Sequence, residues 1–263
     1  MRNEDRIANA ALSKFTNSMV SVVRELEKRI AAMVAGMDTD GRNFVIMNEM
    51  NLAHSITMHG ELLIALREAG YPDAVAALQA SDLEIIRVIK ETRSIPVAFS
   101  KSSKDVINAL RRAEAFEFQM IGEEAMEAVR RVVQQAALTG AVIEESLESI
   151  EKVLNRRLRG YAWTYANTTR KMVIQAVHWE AASDYEGEKY WHYTGPDDDL
   201  TRPACQIGVG RDYEKEFPTA PFFTNDEMLT FESVYAEERT YNCRHYFVQI
   251  TEHNYNKKIE EAV

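Results

Sequence analysis

Cysteine is nearly missing from this chain. Two occur in 263 residues, Cys205 and Cys243. That is too few for the disulfide framework of a secreted domain and suits a reducing compartment. Glycine, at 11, and proline, at 6, are also scarce, which excludes a loop-rich all-β protein whose turns would need both. No apolar run approaches the roughly 18 residues of a bilayer-spanning helix, so no membrane association is expected. Residues Met1 to Ala10 carry charges of both signs and lack the apolar stretch of a signal peptide. The expectation is a chain made and kept in a cytoplasm. Cationic excess is absent too: 31 Lys and Arg stand against 41 Asp and Glu, a net charge of −10. Such a surface repels a phosphate backbone. Weak or no direct nucleic-acid binding is therefore expected, and a protein partner is the better default.

Helix formers fill the space that these absences leave. Leu12, Phe15, Met19, Val22, Leu26, Ile30 and Met33 recur at alternating steps of three and four, the seam of a bundle or coiled-coil helix. Such a seam packs on its own chain or serves self-association. Leu52, Ile56, His59, Leu63 and Leu66 suggest a second helix, stopped by Gly70, Tyr71 and Pro72. His59 in that stripe reads as a hydrogen-bonded core or boundary histidine. A third helix carries Val75, Leu78, Ile85 and Ile89 and closes at Pro96. Ser100 to Ser103 reads as a polar loop with candidate N-caps. A long helix then runs to Gly140, another starts near Ala141, and Tyr161 to Ser183 is helical again, with Gly160 a break or a kink between them.

The composition changes after Asp184. Tyr190 to Tyr193 and Tyr246 to Ile250 read as short strands, with turns at Gly195-Pro196 and Gly208 to Gly210. The expected architecture is mainly α with a small C-terminal α+β domain. Residues 1–184 form a long-helix body, and residues 185–263 form a compact β-containing module.

Four side chains of that module are the donor set of a tetrahedral zinc: His192, Cys205, Cys243 and His245. Cys243 and His245 are two residues apart, tighter than a zinc-ribbon knuckle, and no CxxC accompanies them. The alternative is two packed thiols and two hydrogen-bonded histidines. A Cys–His nucleophile pair would need further machinery, and no nucleophile elbow, phosphate loop or HExxH occurs. No catalytic residue is assigned. The run Asp197 to Asp199 reads as a solvated turn. Arg156, Arg157 and Arg159, with Arg170 and Lys171 farther on, form the one basic stretch of note. Glu148 and Glu151 are its expected counter-ions on a solvated helix face.

Several short signatures then follow in order. A helix carries Thr168-Thr169-Arg170, then Trp179-Glu180-Ala181-Ala182, and a strand carries Trp191. Asp198, Leu200, Thr201, Arg202 and Pro203 lead to Cys205; Gly210 and Tyr213 follow; Asn242-Cys243-Arg244-His245 precedes a last strand. Over residues 160–250 this resembles the C-terminal domain of the phage Mu F-like head morphogenesis proteins, also called minor capsid or minor head proteins. Leu200 stands where that family commonly has Arg, and His245 where it commonly has the last Cys.

The resemblance implies a non-enzymatic virion component present in few copies. It would sit in the head near the portal vertex, after assembly in a host cytoplasm. Its partners would be the portal, the major capsid protein or both, and it would serve head morphogenesis, DNA packaging or ejection. On this reading Trp191, Arg202, Cys205, Cys243 and Arg244 hold the small domain together, and Asp198 and Thr201 organise the turn before Pro203. Two alternatives stay open. One is another virion structural component, a connector or internal core protein. The other is a zinc-dependent hydrolase built on His192, Cys205, Cys243 and His245.

Overall fold

The computed structural model describes residues 2–92, 101–183, 187–195, 201–210, 217–239 and 245–262. The fold is mainly α with a small antiparallel sheet near the C-terminus. The helices are α1 (Asn3–Ala35), α2 (Glu49–Glu68), α3 (Tyr71–Thr92), α4 (Lys101–Thr139), α5 (Ile143–Leu154), α6 (Ala162–Ser183), α7 (Pro203–Gly208), α8 (Asn225–Arg239) and α9 (Glu252–Ala262). The strands are β1 (Tyr190–Thr194), β2 (Phe222–Thr224) and β3 (Tyr246–Ile250). None of the described helices is long and apolar enough to cross a membrane.

By proximity the chain forms two compact units, each assembled from separate stretches. A helical unit comprises Asn9–Ser81 and Arg112–Ala166. A mixed unit comprises Met1–Ala8, Asp82–Arg111 and Asn167–Val263. The composition break near residue 185 marks where the strands begin, whereas these units are grouped by packing.

In the helical unit the seam of α1 is the core. Leu12, Phe15, Met19, Val22, Leu26 and Ile30 are all buried, and Met33 packs against them. Phe15, Phe118 and Tyr165 stack edge to face at 5.5 and 5.2 Å, a geometry that aromatic quadrupoles favour. Tyr71 Oη donates to the Phe118 carbonyl at 2.8 Å, so its hydroxyl is satisfied although the ring is buried. Gly122 lies under this corner. A Cβ there would come within 2.9 Å of Leu66 and 3.1 Å of Tyr71.

In α2 the buried face differs from the expected stripe. Ile56 is 62% exposed, whereas Asn51, Ser55, Met58, Leu62, Ala65 and Leu66 are buried. Two polar residues on that face hide the period. Asn51 accepts from the Asp38 amide and donates to the Asp38 carbonyl, both at 2.8 Å. Ser55 Oγ donates to the Leu52 carbonyl at 2.8 Å. Paired in this way, both tolerate burial. His59 is a boundary residue, its Nδ1 3.7 Å from Glu127 Oε2. Gly160 neither breaks nor sharply ends the helix. It lies in a π-helical segment, Asn155–Tyr161, that joins α5 to α6. Ser102 and Ser103 lie within α4 rather than in a loop before it.

In the mixed unit the strand order is β2-β1-β3, antiparallel throughout. Trp191 faces Phe223, and Tyr193 faces Phe247. These side chains join Cys205, Phe217, Met228 and Phe231 in an aromatic core on one face. Strand alternation turns Tyr246 and Val248 to the other face. There they pack with Ile85, Ile89, Val173, Ile174 and Val177. Helices thus cover both faces of the sheet.

Candidate functional site

The signature residues lie in and around this sheet. β1 places Trp191 and Tyr193 inward. Trp191 Nε1 donates to Asn225 Oδ1 at 3.3 Å, and its ring lies 5.6 Å from that of Trp179. Tyr193 touches Phe231, His245 and Phe247 at 5.1, 5.5 and 4.8 Å between ring centres. Its hydroxyl donates to Cys205 Sγ at 3.4 Å. Cys205 is 1% exposed and behaves as a small hydrophobe in an aromatic nest.

Pro203 opens α7 at the first helical turn, where its missing N–H costs nothing. Thr201 is buried, and its carbonyl accepts from Gln206 Nε2 at 2.9 Å. Gly208, read from sequence as a turn residue, closes α7 beneath Tyr193. A Cβ there would fall 2.4 Å from the tyrosine ring and 2.8 Å from Phe231. Thr224 and Glu227 form a capping box at the start of α8. The carboxylate accepts from the Thr224 amide at 2.8 Å, and the Glu227 amide faces Thr224 Oγ1 at 3.4 Å.

The proposed zinc set is only partly brought together. Cys205 and His245 both contact Tyr193 on the aromatic face. His192 is its neighbour along the strand, so it points to the opposite face. It stacks on Phe222 at 4.8 Å, and its Nδ1 accepts from Arg2 Nη2 at 3.2 Å. Burial, then the charges of Arg2 and Lys258, push its pKa down to about 4. His192 is thus a neutral acceptor for Arg2, apart from Cys205. Among the described residues, no three His, Cys, Asp or Glu side chains come together as a metal site. Asp198, Asn242, Cys243 and Arg244 lie outside the described residues.

Arg170 does not belong to a solvated basic face. It is fully buried and paired with Asp82, also fully buried. Its Nη2 also lies 3.5 Å from Thr169 Oγ1. Arg157, of the same basic stretch in sequence, is exposed and meets Glu124 at 2.8 Å. Asp82 was missed by the sequence reading, though a signal existed. The stripe Leu78, Ile85, Ile89 skips one position of its heptad, and Asp82 fills it. Arg170 sits likewise on the apolar stripe of Ala166, Val173 and Val177. An ionic residue on each of two apolar stripes points to a buried pair.

A second polar cluster fastens the start of α1. Asp5 Oδ1 accepts from Tyr246 Oη at 2.7 Å and from Lys171 Nζ at 3.0 Å. The Lys171 ammonium lies 4.9 Å from the centre of the Tyr246 ring. Burial, then the charge of Asp5 and its hydrogen bond, hold the Tyr246 phenol protonated by raising its pKa. Glu4 is 3.6 Å from His178 Nε2. Burial raises the Glu4 pKa, but His178 and the charge of Arg2 lower it by more, so the net shift is down. No sequence signal linked residues 2–5 to positions 171–246. Their partners are over 160 residues away.

Comparison with protein families, curated proteins and solved structures finds no match.

Proposed function

We propose that this protein is a structural minor head protein of a tailed bacteriophage, acting by binding rather than by catalysis. The support is the ordered set of signatures in residues 160–250, with portal or coat subunits as the partners it implies. One observation carries the non-catalytic half. Five of the seven described signature residues, Arg170, Trp191, Thr201, Cys205 and His245, are 0, 2, 5, 1 and 4% exposed, while Arg202 is half-buried and Pro203 exposed at the start of α7. Groups withdrawn from solvent to that degree serve packing. A reacting group must meet a substrate in a cleft. The helical unit and the mixed unit supply docking faces, and the net charge of −10 limits adhesion to packaged DNA.

A label on this protein, located by imaging in virions of the encoding phage, tests the proposal. A few copies at the portal vertex support it. A label spread over the shell or missing from the virion refutes it. One observation favours a second reading. Cys205 and His245, two of the four side chains the sequence offers for a structural zinc, both contact Tyr193 on the aromatic face. Metal analysis of the purified protein and of Cys243→Ser decides that point.

A further inference from the structure

The fastening of the α1 N-terminus plays no part in the proposed docking role. Of α1, only residues up to Ala8 belong to the mixed unit. Their apolar contribution is slight: Ala8 is buried, but it has no side chain beyond Cβ, and Ile7 is only partly buried. The rest of the hold is polar. Arg2 reaches His192 on β1, Glu4 stands beside His178 on α6, and Asp5 accepts from both Lys171 on α6 and Tyr246 on β3. From Leu12 onward the same helix buries Phe15, Met19, Val22, Leu26 and Ile30. A segment held by few apolar contacts opens at a lower free energy than one that shares a core. Lys171 and Asp5 keep 13 and 18% side-chain exposure, so water already reaches the edge of this contact.

We infer that residues 2–8 form a detachable latch, held to Tyr246 of β3 and Lys171 of α6 by Asp5 and able to open while the sheet stays folded. Asp5 is the keystone because one carboxylate oxygen ties the helix to two elements at once. Opening would release the Tyr246 hydroxyl and the Lys171 ammonium together. Closed, the latch sets Glu4 and Asp5 at the helix start, where the macrodipole favours negative charge.

Amide hydrogen exchange on the full chain tests this, comparing wild type with Asp5→Asn and Lys171→Met. In both variants the amides of Arg6, Ile7 and Ala8 should exchange faster by about tenfold or more, with β1 and β3 keeping wild-type protection. Equal acceleration across β1 and β3 would overturn the inference, since residues 2–8 would then be part of one cooperative core. So would unchanged exchange at residues 6–8 in both variants, or failure of both to fold.

Discussion

Arg170 and Asp82 carry opposite charges out of water together, and the cost of that desolvation is offset only while both are present. Arg170→Met alone should therefore lower the unfolding free energy by about 3–5 kcal/mol, measured by urea unfolding. The double variant with Asp82→Leu should recover part of the loss, because it removes both charges of this pair together. His192 gives a prediction in pH. Its folded pKa of about 4 lies below the ordinary value of 6.5. Between those values the unfolded chain binds the extra proton, so stability rises with pH across that window. The contribution is whole above pH 6.5 and fades as pH falls toward 4. Melting curves from pH 7 down to 4 should show a shallower decline in His192→Gln than in wild type. At this scale the sequence was informative where chemistry and period disagree. The ionic Arg170 and Asp82 on apolar stripes were visible in it. The pairing of Asp5 with Tyr246 was not, since nothing local encodes a contact across 241 residues.

Secondary structure was legible in proportion to length and regularity. The α1 seam and the end of α4 at Gly140 follow from apolar period and from glycine, whose φ of +64° there suits a helix stop. β1 and β3 follow from aromatic, β-branched runs. β2 did not, because its three residues are too few to show alternation; α8 has a weak apolar pattern and α9 few apolar residues among many polar ones. The buried face of α2 misled because polar Asn51 and Ser55 lie on it. Two predictions belong here. Gly208→Ala should destabilise by about 1–3 kcal/mol, since a methyl group would overpack the Tyr193 and Phe231 rings. Glu227→Ala removes the capping carboxylate of α8 and should cost about 0.5–2 kcal/mol. Both are read by thermal or urea unfolding, and a neutral Gly208→Ala would show that the rings can move aside.

Across the whole chain, the sequence foresaw helix before residue 185 and strand after it, but not that the mixed unit also draws in residues 1–8, 82–111 and 167–184. Grouping by packing is invisible to composition when continuous helices such as α1 and α3 serve both units. In the proposed docking role, the net charge of −10 disfavours DNA, and the burial of Arg170, Trp191, Thr201, Cys205 and His245 fits a packed module. The most direct test is co-sedimentation of the purified protein with portal-containing head shells, with shells lacking portal, and with duplex DNA, at physiological salt. The account predicts retention on portal-containing shells and little on DNA. Tight DNA binding that weakens steeply with added salt, with no retention on either kind of shell, would contradict it.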